Sequence, residues 1–278
     1  MKYQPSPRLE SGQVPEHDDF MDSQAFCQIL GIRFFMGSAL ETLDQIREGG
    51  LVVVPSAPTL KDLPDNRVYR EALLNADMAI TDSALMVLLW NLMHRTRIAR
   101  VSGLAYFKVL VDDNELRTPG NTLWVMASEE SADVNLRWLA SRGIQVAPKD
   151  VYIAPIYGGR IEDPALLARL KSREYRHVVL TIGGGIQECL GSYLKKNLVK
   201  CPAIHCIGAA IAFLSGDQVY IPGWADRTGL GWLLRCLWKP TYYGPRYWRA
   251  LKLVSLMLRY RANLPPLREA AAEHAHAA

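Results

Sequence analysis

The chain has 278 residues, 49% of them hydrophobic and 22% charged, and a net charge of +4. That is enough apolar material for one large core or two small ones, and no apolar run is long enough to cross a bilayer. The amino-terminal MKYQPSPRLESGQVPEHDD lacks the apolar stretch of a secretory signal, and five cysteines without a CxxC pair do not make a disulfide framework, so a globular protein of the reduced cytoplasm is expected.

Residues 1–25 are polar and contain prolines, which predicts a flexible amino terminus. ALETLDQIREGG then carries a helical pattern with a glycine stop, LVVVPSAP reads as a strand and turn, NRVYREALLNA as a helix and DMAIT as a strand. ALMVLLWNLMHRT predicts a buried helix and RIARVSG a strand ending on glycine. After a break at Pro119 and Gly120, PGNTLWVMAS predicts a strand, ESADVNLRWLASRG a helix, and DVYIAPIYGG a strand or extended run. DPALLARLKSREY follows as a helix with Pro164 near its first turn, and HVVLTI as a strand. This alternation predicts an α/β fold with largely parallel sheets flanked by helices in a Rossmann-like arrangement. Its main domain is 26–223, with lobes at about 26–118 and 119–223. A basic aromatic appendage, 224–268, and a disordered tail, 269–278, complete the chain.

The strand HVVLTI runs into Gly183, Gly184 and Gly185, and then into a helix that opens with Gln187 and Glu188. Glycines let the backbone approach a ligand, and N–H groups at a helix start attract phosphate; a tight βα turn without a ligand is the other reading of the same residues. Asp82 directly follows the DMAIT strand, where open α/β sheets bind ligands, and it can serve as a general base, as the N-cap of the next helix, or as both. Arg100 lies eighteen residues further on, a candidate to orient Asp82 or to neutralise a phosphate. Tyr157, beside Gly158 and Gly159, offers a ring for stacking on a base or for the core. CPAIHC, with Cys201, His205 and Cys206, has no second ligand cluster and reads as a buried strand rather than a metal site.

Arg227 to Arg268 holds nine Lys or Arg residues, no Asp or Glu, and seven Trp or Tyr rings. In RYWRALKLVSLMLRYR apolar residues outnumber basic ones, which favours a lipid or protein surface over nucleic acid; docking of the helix on the core with a solvated basic face is the alternative. The chain contains no GxGxxG after a first strand, no GxxxxGK[ST], no HExxH, no GxSxG and no DxD.

The series VVVPSAP, AITDSAL, RVSG, GGGIQECL, IGAAIAFLSG and GLGWLLRCLWKP resembles, in order and spacing from about Leu30 to Arg261, the WecG/TagA/CpsF family of bacterial glycosyltransferases. The resemblance implies an inverting, metal-independent transfer of a hexose or N-acetylhexosamine from a UDP-sugar to a polyprenyl (undecaprenyl) diphosphate-linked saccharide. The product belongs to exopolysaccharide, wall polymer or antigen synthesis. It implies no cofactor, no nucleic-acid partner, and a peripheral position on the inner face of the cell membrane, reached through the carboxyl-terminal segment. A second copy of the chain is another cover for that segment's apolar face. By motif, Asp82 would be the general base, and Arg100 and Gln187 would line the catalytic pocket. Tyr157, Gly183, Gly184, Gly185, Gln187, Glu188 and Gly208 would meet the nucleotide sugar, and Ser56, Arg235, Arg246 and Arg249 the acceptor and the diphosphates. Departures from the motifs fall at Val54, Ser56, Ser83, Gly185, Ile186, Ala212 and Gly231. They leave two readings: a transferase with a different donor sugar, and a nucleotide-sugar-binding or scaffold protein of the same fold.

Overall fold

The computed structural model describes residues 25–95 and 97–268; the expectations for the first 24 residues and for the tail 269–278 lie outside the described residues. Eight strands form one sheet: β1 (Phe26–Ile29), β2 (Ile32–Phe35), β3 (Gly50–Val53), β4 (Met78–Ile80), β5 (Thr122–Met126), β6 (Val151–Ile153), β7 (His177–Leu180) and β8 (Ala203–Cys206). Their order is β1-β2-β4-β3-β8-β7-β5-β6, and every pairing is parallel except the β1–β2 hairpin. Strands from 26–118 fill one half of the sheet and strands from 119–223 the other. The β3–β8 pairing, with Leu51 opposite Ile204, joins the halves.

Strands β3, β4, β5, β7 and β8 are buried along their whole length, which is why they read as unbroken apolar runs. Successive side chains enter opposite cores. Leu51, Val53, Leu123, Val178 and Ile204 face one, and Val52, Val54, Trp124 and Val179 the other.

The helices are α1 (Ala39–Gln45), α2 (Ala57–Leu60), α3 (Arg67–Leu74), α4 (Ala84–His94), α5 (Gly103–Asp112), α6 (Asn114–Arg117), α7 (Glu129–Ser141), α8 (Pro164–Ser172), α9 (Ile186–Asn197), α10 (Ala212–Ser215), α11 (Gly223–Arg227), α12 (Gly231–Trp238), α13 (Pro240–Ala250) and α14 (Lys252–Tyr260). Ser38, Ser83, Ser102, Ser128 and Asp163 each accept a first-turn N–H of the helix they precede, contacts typically worth about 1 kcal/mol apiece.

RIARVSG does not form a strand. Asn91 exchanges two hydrogen bonds with the backbone of Ile98, and the Thr81 hydroxyl donates to Ala99 O and accepts from Val101 N. The groups that a sheet ladder would need are therefore held by side chains, and the segment runs as a loop into α5.

The β1–β2 turn passes through Leu30 and Gly31 at φ +51° and +78°. A leucine is strained there, and the carboxyl-terminal segment holds it: Leu30 N and Gly31 N donate to Arg261 O and Ala262 O, each at 2.8 Å. That segment is helical and lies back on the core, burying Tyr243, Ala250, Leu253, Leu256 and Met257, with α14 against α4 and α13 against α2. Its outer face exposes Trp232, Leu237, Trp238, Trp248 and Leu258. No helix among the described residues is long and apolar enough to cross a membrane.

Candidate active site

Parallel strands deliver their carboxyl ends to one edge of the sheet, the edge at which open α/β sheets bind ligands. Ser56 follows β3, Asp82 follows β4, Gly183 to Gly185 follow β7, and Gly208 follows β8.

Asp82 is not a helix cap. Ser83 takes that role on α4 by accepting from Met86 N at 3.2 Å, which leaves the Asp82 carboxylate free to face α5. Asp82 Oδ1 accepts from Gly103 N at 2.9 Å and lies 3.6 Å from Arg100 Nη2. A Cβ at residue 103 would sit 2.8 Å from Val54 Cγ1, so glycine is what permits this approach. The Asp82 side chain remains 23% exposed. Burial pushes its carboxyl above the ordinary value and Asp226 adds to that; Arg100, the Gly103 N–H and Arg235 oppose it.

Arg235, on α12, stacks its guanidinium 4.2 Å from the Phe213 ring centroid and donates from Nη1 to Tyr247 Oη at 2.9 Å. Its Nε is buried without a hydrogen-bond partner among the described residues. Arg246 and Arg249, on α13, line a cleft of about 410 Å³ together with Pro58, Lys61, Thr241, Tyr242 and Pro245. Lys61 is a cation that sequence reasoning did not single out. It also pairs with its neighbour Asp62.

At the glycine junction the polar groups are turned inward. Gly185, at φ +93°, donates its N–H to Glu188 Oε2 at 2.6 Å, and Ile186 N and Gln187 N both donate to Gly183 O. The Gln187 amide accepts from Gly208 N at 2.7 Å and donates to Cys206 O at 3.3 Å and to Glu188 Oε1 at 3.2 Å. Both side chains are buried, and burial raises the Glu188 carboxyl to about 7. Gln187 thus ties α9 to the end of β8. Gly183, next to it, opens onto free space.

Ser56 precedes α2 and approaches Thr59, whose hydroxyl also accepts a hydrogen bond from the Tyr69 hydroxyl at 2.8 Å. The Thr59 methyl lies beside Gly184 and Gly185, so Ser56 and the glycine turn share one wall. Tyr157 is placed elsewhere. Its hydroxyl donates to Asp163 at 2.8 Å, its half-buried ring packs on the core beyond the edge strand β6, and burial beside Asp163 pushes its phenol far up. Five strand spacings, about 24 Å of sheet, separate β6 from β4. The structure therefore brings Asp82, Arg100, Arg235 and the Gly103 amide together, and leaves Tyr157 on the far side.

CPAIHC is a buried strand. His205 Nδ1 meets Tyr106 Oη at 2.8 Å and its Nε2 meets His177 Nδ1 at 3.1 Å, while the Cys206 thiol donates to Gln187 O. No group of three or more His, Cys, Asp or Glu among the described residues is placed to hold a metal ion.

A model of the glycosyl transferase WecG/TagA/CpsF family matches residues 27–266. The chain belongs to that family. WecG/TagA/CpsF membership makes it a glycosyltransferase by family, with a sugar donor and an acceptor as its substrates. Comparison with the curated proteins gives no match.

Besides Lys61, a second residue of this site was missed by reading the sequence. Asp226, on α11, accepts from Ser102 Oγ at 2.6 Å and from Arg100 Nη2 at 3.3 Å. Its only signal was position: it is the last acidic residue before the acid-free run 227–268.

Proposed function

We propose that this family member transfers a hexose or N-acetylhexosamine, with inversion, from a UDP-sugar to a polyprenyl diphosphate-linked saccharide. The observation that carries the reading is Asp82: a carboxylate of raised proton affinity at the mouth of the crevice, one edge open, its position set by the Gly103 amide and Arg100. Asp82 removes the proton from the acceptor hydroxyl, the freed oxygen attacks the anomeric carbon, and the bond from that carbon to the diphosphate oxygen breaks with its electron pair leaving on UDP. A positioned base of this kind typically contributes about 10²–10⁴-fold. Arg235, held near Asp82 by the Phe213 ring and the Tyr247 hydroxyl, is the cation for the developing diphosphate charge. The Lys61, Arg246 and Arg249 cleft suits the acceptor diphosphate. Gly183 and Gly184 give the donor its approach; Tyr157, bonded to Asp163 beyond the edge strand β6, is not assigned to the donor.

The exposed tryptophans and leucines of α12 to α14, set among basic residues, fit an anionic membrane surface on the side where a lipid-linked acceptor would present its sugar. A panel of UDP-sugars incubated with a synthetic polyprenyl diphosphate-linked sugar tests the reaction. One donor is expected to yield a product heavier by one sugar, with release of UDP. UDP binding without any product across the panel would favour the second reading, a nucleotide-sugar-binding protein of the same fold, which the altered motif positions Ser56, Ala212 and Gly231 support.

A further inference from the structure

Of the two expectations for Arg100, orienting Asp82 or neutralising a phosphate, its contacts fit the first: its donors are engaged within the protein. Nε donates to Asp82 O at 2.6 Å, Nη1 donates to Asp226 O, and Nη2 donates to Asp226 Oδ1 at 3.3 Å while lying 3.6 Å from Asp82 Oδ1. The second Asp226 oxygen accepts from Ser102 Oγ, which also caps α5 by accepting from Ala105 N at 2.9 Å. The Gly103 amide beside that cap is the donor to Asp82 Oδ1. The contacts close into a ring: Asp82, Arg100, Asp226, Ser102, Gly103, and back to Asp82.

Every member but one comes from residues 82–103. Asp226 arrives from α11, at the start of the carboxyl-terminal segment, and its neighbour Ala225 is fully buried in a small cluster with Leu104, Phe213 and Ile221. Packing therefore seats α11 and delivers the carboxylate to a fixed place. As stabilising ion pairs these contacts are modest, because Arg100 and Asp226 remain 21% and 14% exposed. Their consequence is geometric and electrostatic. With Asp226 present, the guanidinium is shared between two carboxylates; without it, Arg100 faces Asp82 alone.

We propose that Asp226 is a positioning residue for the base: it holds Arg100 and the Ser102 cap in register with Asp82, so that the base is assembled only when the segment 223–238 is docked on the core. This rests on Asp82 acting as the base. The charged and titratable groups that face Asp82 are Arg100 from the loop after α4, Asp226 from α11, Arg235 from α12 and Tyr247 from α13. Of these, Asp226 is the carboxylate that draws Arg100 away from Asp82.

The test compares Asp226→Asn and Asp226→Glu with the unaltered full-length chain, using the UDP-sugar and acceptor pair that supports transfer. Asp226→Asn is expected to lower kcat by about tenfold or more, the scale of a misplaced catalytic group, with KM for the UDP-sugar nearly unchanged. The acidic limb of its kcat profile should move to lower pH, because Arg100 then acts on Asp82 undivided. Asp226→Glu keeps the charge and should recover part of the rate. A folded Asp226→Asn protein with unaltered kcat and an unmoved acidic limb would overturn the proposal. Amide hydrogen exchange over 223–238 is expected to be unchanged in Asp226→Asn, because the packing of Ala225 seats α11; a lower kcat accompanied by lost protection there would overturn the positioning role. A failure of the base reading is told apart by Asp82→Asn, which would then retain transfer.

Discussion

Two junctions at the same edge of the sheet, β7 to α9 and β4 to α4, carry the residues most prominent in the sequence, and they are built in opposite ways. At the first, Gln187 and Glu188 are buried, their polar atoms satisfied by Gly185, Cys206 and Gly208. At the second, Asp82 keeps an open edge and Arg235 keeps an unengaged Nε. A closed network has no group left to give to a substrate, whereas an open one holds charge in place at the cost of leaving it incompletely satisfied. The glycine junction is therefore the frame of the crevice, and the Asp82 junction is where chemistry can occur.

Substitutions can break that contrast. The largest effect is expected from Arg235→Ala, which removes the guanidinium proposed to face the leaving diphosphate: transfer should fall by about 10²-fold or more with little change in thermal stability. Single-turnover assays and a melting curve check it, and a large loss of stability with retained activity would reverse the assignment. Gln187→Leu should do the opposite. It leaves Gly208 N and Cys206 O without their partner, at about 1–3 kcal/mol each, so the melting temperature should drop while the folded fraction still turns over.

Glu188→Gln sharpens the same point through pH. The Glu188 carboxyl rises from an ordinary 4.5 to about 7 on folding, so the unfolded chain ionises first, and stability is lost as pH climbs from 4.5 to about 7. The loss is about 3 kcal/mol for a shift of this size. His177 and His205 work the other way. Burial lowers both below 6.5, so the folded state resists their protonation and stability falls as pH drops through and below 6.5. Denaturant titrations should therefore show opposed slopes in the unaltered protein, and in Glu188→Gln a much smaller loss of stability toward pH 7 with the histidine slope kept. A persisting loss of stability toward pH 7 in that variant would show that Glu188 is not its source. The smallest effect belongs to Tyr157→Phe, which removes one bond to Asp163 while Tyr152 keeps its own: about 1 kcal/mol of stability, and no change in donor KM.

Much of the frame was legible because strands buried on both faces have to be continuous apolar runs, and β3, β5, β7 and β8 are such runs. Asp82 was legible because a carboxylate after a buried strand has few places to go. What was not legible depends on partners distant in sequence. RIARVSG carries a strand pattern, but Thr81 and Asn91 take its backbone groups. The β1–β2 hairpin went unseen because its turn needs Leu30 at positive φ, a conformation held by the chain 231 residues later, at Arg261. Asp226 reaches Arg100 across 126 positions, and no local pattern announces it.

The central claim is that Asp82 takes the acceptor's proton. It is tested most directly by comparing Asp82→Asn with the unaltered chain for product formation by mass and for UDP binding by calorimetry. The account predicts product formation reduced by about 10²-fold or more with UDP affinity and melting temperature retained. An Asp82→Asn protein that forms product at the unaltered rate would contradict it.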